Sequence, residues 1–172
     1  MAYFAALMAR GSSGAWDGRD VDLDGVEDVK EITALMRAAG DDDGPVLLLV
    51  EQEDTWFGVV RVDGEDDPRI FLSDPSAAVT TALGELLLAA NSIEPTEYDS
   101  SAPSREDSDS DGEDEPSGSA GEPAGELDLL ADLGVEEDLL LDLVDEDGLL
   151  PTEALERIAT EIGCAEEFES LR

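Results

Sequence analysis

Residues 92–125 cannot take part in a packed core, and that divides the chain before any motif is read. Of these 34 positions, 27 are Ser, Pro, Gly, Asp or Glu, and the sizeable apolar side chains are Ile93 and Tyr98. Such a stretch buries too little apolar area to offset the entropy of ordering it, and its like charges push it open. It reads as a disordered acidic linker between an N-terminal domain, residues 1–91, and a C-terminal helical region, residues 126–172.

The N-terminal part reads as α+β. Tyr3 to Ala9 is a short apolar strand, and Asp20 to Asp24 alternates with period two, which suggests a half-buried strand. From Val26 the spacing changes: Val29, Ile32, Leu35, Met36 and Ala39 follow three or four apart, on one face of a helix ending near Gly40. Val46–Val50, Trp56–Val62 and Arg69–Leu72 are then separated by short acidic turns, so an antiparallel meander is expected, since parallel crossovers need a dozen residues or more. Asp74 and Pro75 open a second helix whose buried face runs from Ala78 to Leu87. The expectation is an antiparallel sheet of about five short strands packed with two helices.

Beyond the linker, apolar residues recur at helical spacing in three short amphipathic segments and a last turn. Forty-seven residues without a disulfide or metal make a marginal independent domain, so they are expected to dock on the N-terminal part, a second copy or a partner.

Charge restricts the chemistry. Forty-six acidic residues oppose nine basic ones, a formal net charge of −37, and histidine is absent. The excess is shared by all three stretches: 19 acids against 6 bases, then 11 against 1, then 16 against 2. Such a field repels phosphate backbones and anionic lipid and favours cationic partners, so direct nucleic-acid and membrane binding are both set aside. No apolar run approaches the roughly 18 residues a membrane span needs. With a single cysteine, Cys164, no internal disulfide forms, which suits a reducing cytoplasm. Ser–His and Cys–His nucleophiles are excluded, and the acid-rich helical setting of Cys164 raises its pKa, as befits a small core residue.

One motif has a metal-ligand spacing. Asp20-x-Asp22-x-Asp24-Gly25-x₅-Glu31 fits a calcium loop, offering three carboxylates, a glycine turn and a bidentate glutamate. Its context does not: the entering helix would have to run through Gly11 to Gly18, and Glu27 stands where an apolar pairing residue belongs. Solvent-facing aspartates ahead of a helix with an acidic first turn are the favoured reading, and no cofactor is expected. For protein contacts the candidates are Trp56, on a strand that places Trp56, Gly58 and Val60 opposite Phe57, Val59 and Arg61, and Leu139, Leu143 and Phe168 in the C-terminal helices. Packing of both tryptophans within the fold is the favoured expectation.

Several segments carry a resemblance when taken in order. They are Met1-Ala2-Tyr3-Phe4-Ala5-Ala6, Val21-Asp22-Leu23 with Val26-Glu27-Asp28, Gly44 to Glu51, Arg61-Val62-Asp63-Gly64, Pro68 to Asp74, Leu129 to Val135, and Gly148-Leu149-Leu150-Pro151. The chain resembles the actinobacterial tRNA adenosine deaminase-associated protein family over about residues 1–91 and 126–172. The resemblance implies a non-enzymatic accessory role beside a tRNA-editing adenosine deaminase and supplies no catalytic residues. That deaminase needs H-x-E and P-C-x-x-C zinc signatures, which a chain with no histidine and one cysteine cannot provide. The expected role is therefore an accessory protein with a protein partner, the deaminase. The alternative is a small α+β domain binding a divalent metal or small ligand through Asp20, Asp22, Asp24 and Glu31.

Overall fold

A computed structural model describes residues 3–40, 44–90 and 123–172. The linker expected over 92–125 lies outside the described residues except at its last three positions. Among the described residues, six strands form one antiparallel sheet in the order β2-β1-β3-β4-β5-β6. They are β1 (Tyr3–Arg10), β2 (Trp16–Asp20), β3 (Pro45–Gln52), β4 (Trp56–Asp63), β5 (Arg69–Leu72) and β6 (Ala124–Gly125). The helices are α1 (Val29–Ala39), α2 (Pro75–Ala78), α3 (Ala82–Ala90), α4 (Glu137–Asp145), α5 (Pro151–Ile162) and α6 (Ala165–Ser170). None of the described helices is long and apolar enough to cross a membrane.

The α+β class and antiparallel meander hold, with a sixth strand added at the end of the expected linker. The three central strands are apolar on both sides because both sheet faces are covered. On one face Leu7, Leu48, Trp56, Val60 and Ile70 meet Ile32 and Met36 of α1 and Leu87 of α3. On the other, Met8, Leu47, Leu49, Phe57, Val59 and Phe71 meet Leu140 and Leu143 of α4, Leu155 and Ile158 of α5, and Phe168 of α6. Period-two alternation thus assigns β4 as expected, Trp56 and Val60 to one core and Phe57 and Val59 to the other. Of the three docking options for the C-terminal helices, the structure has them on the sheet.

Three local differences have identifiable causes. The strand expected at Asp20–Asp24 lies instead at Trp16–Asp20. Trp16 buries its ring and donates from Nε1 to the Ile162 carbonyl at 3.1 Å, while Gly18 lets the backbone come close to Glu167 and Leu171 of the α6 segment. Past Val21, whose amide still donates to the Ala5 carbonyl at 3.0 Å, the chain leaves the ladder, because Asp22 Oδ1 accepts from the Asp24 amide at 2.9 Å and closes a turn.

Helix α1 starts at Val29, not Val26. Asp28 is its N-cap, accepting from the Lys30 amide, and Glu31 accepts from the Glu27 amide. The second expected helix breaks into α2 and α3. Thr81 Oγ1 donates to the Ala78 carbonyl and accepts from the Gly84 amide, restarting the helix there. A Cβ on Gly84 would stand 2.0 Å from the Ala78 carbonyl oxygen, so this crossing requires glycine.

Candidate interaction surface

The C-terminal layer presents one face to the sheet and a different chemistry to solvent. Helices α4 and α5 are amphipathic: Leu140, Leu143, Leu155 and Ile158 are buried, while their carboxylates point away. Pro151 opens α5, Glu153 accepts from the Leu150 amide at 3.1 Å, and Gly163 ends the helix with φ 85°. None of the sixteen acidic residues after position 125 is buried. The two arginines of this region are already engaged: Arg157 with Glu146, and Arg172 with Glu156 and with Glu51 of β3. The outward field is therefore negative and uncompensated. Between α5 and α6 it opens into a groove of about 330 Å³, lined by Glu153, Glu156, Glu161 and Glu169, with Phe168 and Arg157 also in its wall.

Charge also holds this layer in place. Arg61 of β4 has a buried side chain that pairs with Asp63 at 2.8 Å, pairs with Asp132, and donates to the Leu129 carbonyl at 2.6 Å. The Arg61 guanidinium holds the Asp132 carboxyl below the usual carboxylate range, and Asp132 in turn raises the pKa of Arg61 against the cost of burial. Arg69 of β5 reaches Glu126 and Asp128, the latter at 3.2 Å. At the far end Thr152 donates to Glu51 at 2.7 Å, and the Arg172 guanidinium lies over the rings of Phe4 and Phe168, 5.5 and 5.9 Å from their centroids. Sequence reasoning singled out none of these arginines. The signal for Arg61 was a lone charge inside an otherwise apolar strand, which implies a partner brought to it from elsewhere.

The contact residues expected from sequence lie inside the fold. Trp56 and Phe168 are fully buried, Leu143 is buried, and Leu139 is half-buried against the same core. As folded, the apolar side of the C-terminal helices is spent on the sheet, leaving carboxylates as the surface a partner meets. Trp56 Nε1 is buried with no hydrogen-bond partner among the described residues.

The carboxylates of the calcium-like spacing are only partly assembled. Asp20, Asp22 and Asp24 border a shallow depression of about 350 Å³ beside Tyr3, whereas Glu31 is occupied at the start of α1. Asp22 already accepts from Asp24 N and from Tyr3 Oη, and these bonds lower its pKa. Among the described residues no group of three or more His, Cys, Asp or Glu is placed to hold a metal ion. Cys164 is buried, and burial with the nearby Glu167 pushes its thiol up to about 12.

A family model described as "Rv3753c-like tRNA adenosine deaminase-associated protein" matches residues 3–165. The chain belongs to that family. No curated protein and no solved structure matches it. The family match runs from the first residue of β1 to the first of α6, so what defines this tRNA adenosine deaminase-associated family takes in the sheet and the helices on both of its faces. Its description places family members beside a deaminase and assigns them no reaction.

Proposed function

We propose that this protein is a non-enzymatic accessory factor that binds a tRNA adenosine deaminase through the carboxylate face of α4–α6. One observation carries the reading: none of the ten carboxylates of α4–α6 is buried, while both arginines of the C-terminal region are tied up within the fold. An enzyme that acts on tRNA meets a polyanion and needs a basic surface to do so. A rigid layer of carboxylates is complementary to such a surface and speeds encounter with it. The residue inventory agrees. Without histidine, and with one buried thiol pushed to about 12, the chain has neither the zinc set of a deaminase nor a nucleophile activated by histidine or as a thiolate.

The test is co-purification of this chain with the deaminase from the same cell at low and at high salt. A complex that forms at low salt and weakens as salt rises is expected. A Glu153→Gln, Glu156→Gln, Glu161→Gln, Glu169→Gln variant should weaken it while leaving the far-ultraviolet circular dichroism unchanged. No complex at low salt would end the proposal, and a complex indifferent to the four substitutions would remove this face from it.

A further inference from the structure

The two edges of the sheet end differently. Beside β5 lies β6, two residues long and followed directly by Glu126 and Asp128, which Arg69 of β5 holds. At the opposite edge β2 has β1 on one side and no described strand on the other. Alternation in the ladder decides which of its backbone groups are free. The Gly11 amide donates to the Ala15 carbonyl and the Val21 amide to the Ala5 carbonyl, so the odd-numbered residues of this hairpin bond across it. Trp16, Gly18 and Asp20 therefore turn their amides and carbonyls away from β1. Gly18 is half-buried and Asp20 is exposed, so this row reaches solvent.

An open edge pairs with an extended backbone that its charges admit. Those charges are negative. Gly18 and Asp20 share the sheet face that α6 covers, where Gly18 lies against Glu167. No described arginine or lysine is ion-paired with Asp20 or Glu167. Arg19, the one cation of the strand, is already bound to Asp17 at 3.1 Å. A second chain of −37 is repelled from such an edge, whereas lysine and arginine are drawn to it. We propose that the free edge of β2 receives an extended basic segment of a partner protein as a seventh strand, with Lys or Arg at alternate positions on the α6 side. The main chain of that segment bonds Trp16, Gly18 and Asp20, and its cations lie beside Asp20 and Glu167. This contact is separate from the groove between α5 and α6, and it stands whether or not that groove binds a deaminase.

The probe is a short synthetic peptide alternating arginine and threonine, added to the isotope-labelled full chain, with amide hydrogen exchange read residue by residue. In the chain alone the Asp17 and Arg19 amides should be protected and those of Gly18 and Asp20 should exchange fast. The peptide should slow Gly18 and Asp20 about tenfold or more and leave Asp17 and Arg19 unchanged. Two N-methylated peptides separate strand addition from plain charge attraction, one methylated at every arginine and the other at every threonine. A strand turns alternate amides toward its neighbour, so one form should lose the effect and the other keep it. Asp20→Lys should weaken peptide binding about tenfold. The Glu153→Gln, Glu156→Gln, Glu161→Gln, Glu169→Gln variant should keep the protection at Gly18 and Asp20. The proposal is overturned by an absence of added protection at millimolar peptide, by two N-methylated forms that act alike, or by undiminished binding to Asp20→Lys. Protection of Gly18 and Asp20 in the chain alone overturns it as well, since the edge is then already closed. Loss of the deaminase complex with the peptide effect intact strikes only the previous proposal.

Discussion

Replacing Arg61 by methionine keeps an unbranched stem at this buried position of β4 and removes the guanidinium. Three acceptors then lose a donor: the Leu129 carbonyl, Asp63 and Asp132. The carbonyl belongs to a fully buried residue, and stranding it costs about 1–3 kcal/mol. The carboxylates are different, because their side chains are 36% and 60% exposed and regain water when the arginine is gone. Ion pairs so exposed contribute up to about 1 kcal/mol each, and the methionine stem recovers part of the packing. The expected loss is therefore about 2–4 kcal/mol, a large share of the roughly 5–15 kcal/mol typical of a domain.

Urea unfolding followed by tryptophan fluorescence reads it, each indole reporting separately in a variant that keeps only that tryptophan. Trp16 is bonded to Ile162 across the layers, and Trp56 sits in the opposite core. Arg61→Met should lower the midpoint seen by both. An acid arm adds a sign. Asp132 is held below its unfolded value, so it stabilises the fold above the unfolded carboxylate pKa of about 3.9, and that contribution is lost as pH falls through the lower folded value. In Arg61→Met this arm should vanish. A variant within about 0.5 kcal/mol of the parent would refute the view that Arg61 ties the layers together.

Three further outcomes follow from packing and charge. Gly84→Ala should cost about 1–3 kcal/mol or more in urea unfolding, since its Cβ meets a backbone carbonyl that cannot step aside. Trp16→Phe should destabilise more than Trp56→Phe by about 1–2 kcal/mol, because the first strands the Ile162 carbonyl while the second removes an N–H that has no partner among the described residues; the reverse order in chemical denaturation would contradict this. Finally, the melting temperature should rise between about 0.05 M and about 0.5 M sodium chloride, as screening relieves the self-repulsion of a −37 chain, whereas a fall would mean that its ion pairs outweigh that repulsion.

Much of the sheet was readable from residue order alone. Short acidic turns between Val46 and Leu72 required antiparallel pairing, and alternation in Trp56–Val62 sorted those side chains correctly between two faces. What escaped was set by contacts distant in sequence. Val21 and Leu23 have the period of a strand, yet the ladder holds Trp16–Asp20 because α5 and α6 receive Trp16 and Gly18. The break between α2 and α3 depends on a close approach at Gly84 that periodicity does not register.

Amphipathic spacing showed that residues 126–172 have faces to bury, but not against what. A clue lay in the continuous run Val46-Leu47-Leu48-Leu49-Val50, which needs cover on two sides where the N-terminal helices supply one. The candidate surface was legible as charge and not as place. Composition announces the acidity, while only the fold shows that α4–α6 concentrate it, with ten carboxylates against the two within α1–α3.

Because one sheet face is covered by helices encoded after residue 136, a growing chain lays down Met8, Leu47, Phe57 and Phe71 long before their lid exists. At about 5–20 residues per second, translation from Leu72 to Phe168 takes on the order of 5–20 s. For that interval the nascent protein offers a broad greasy plane at the ribosome, and chaperone capture during synthesis is the expected consequence of this layering.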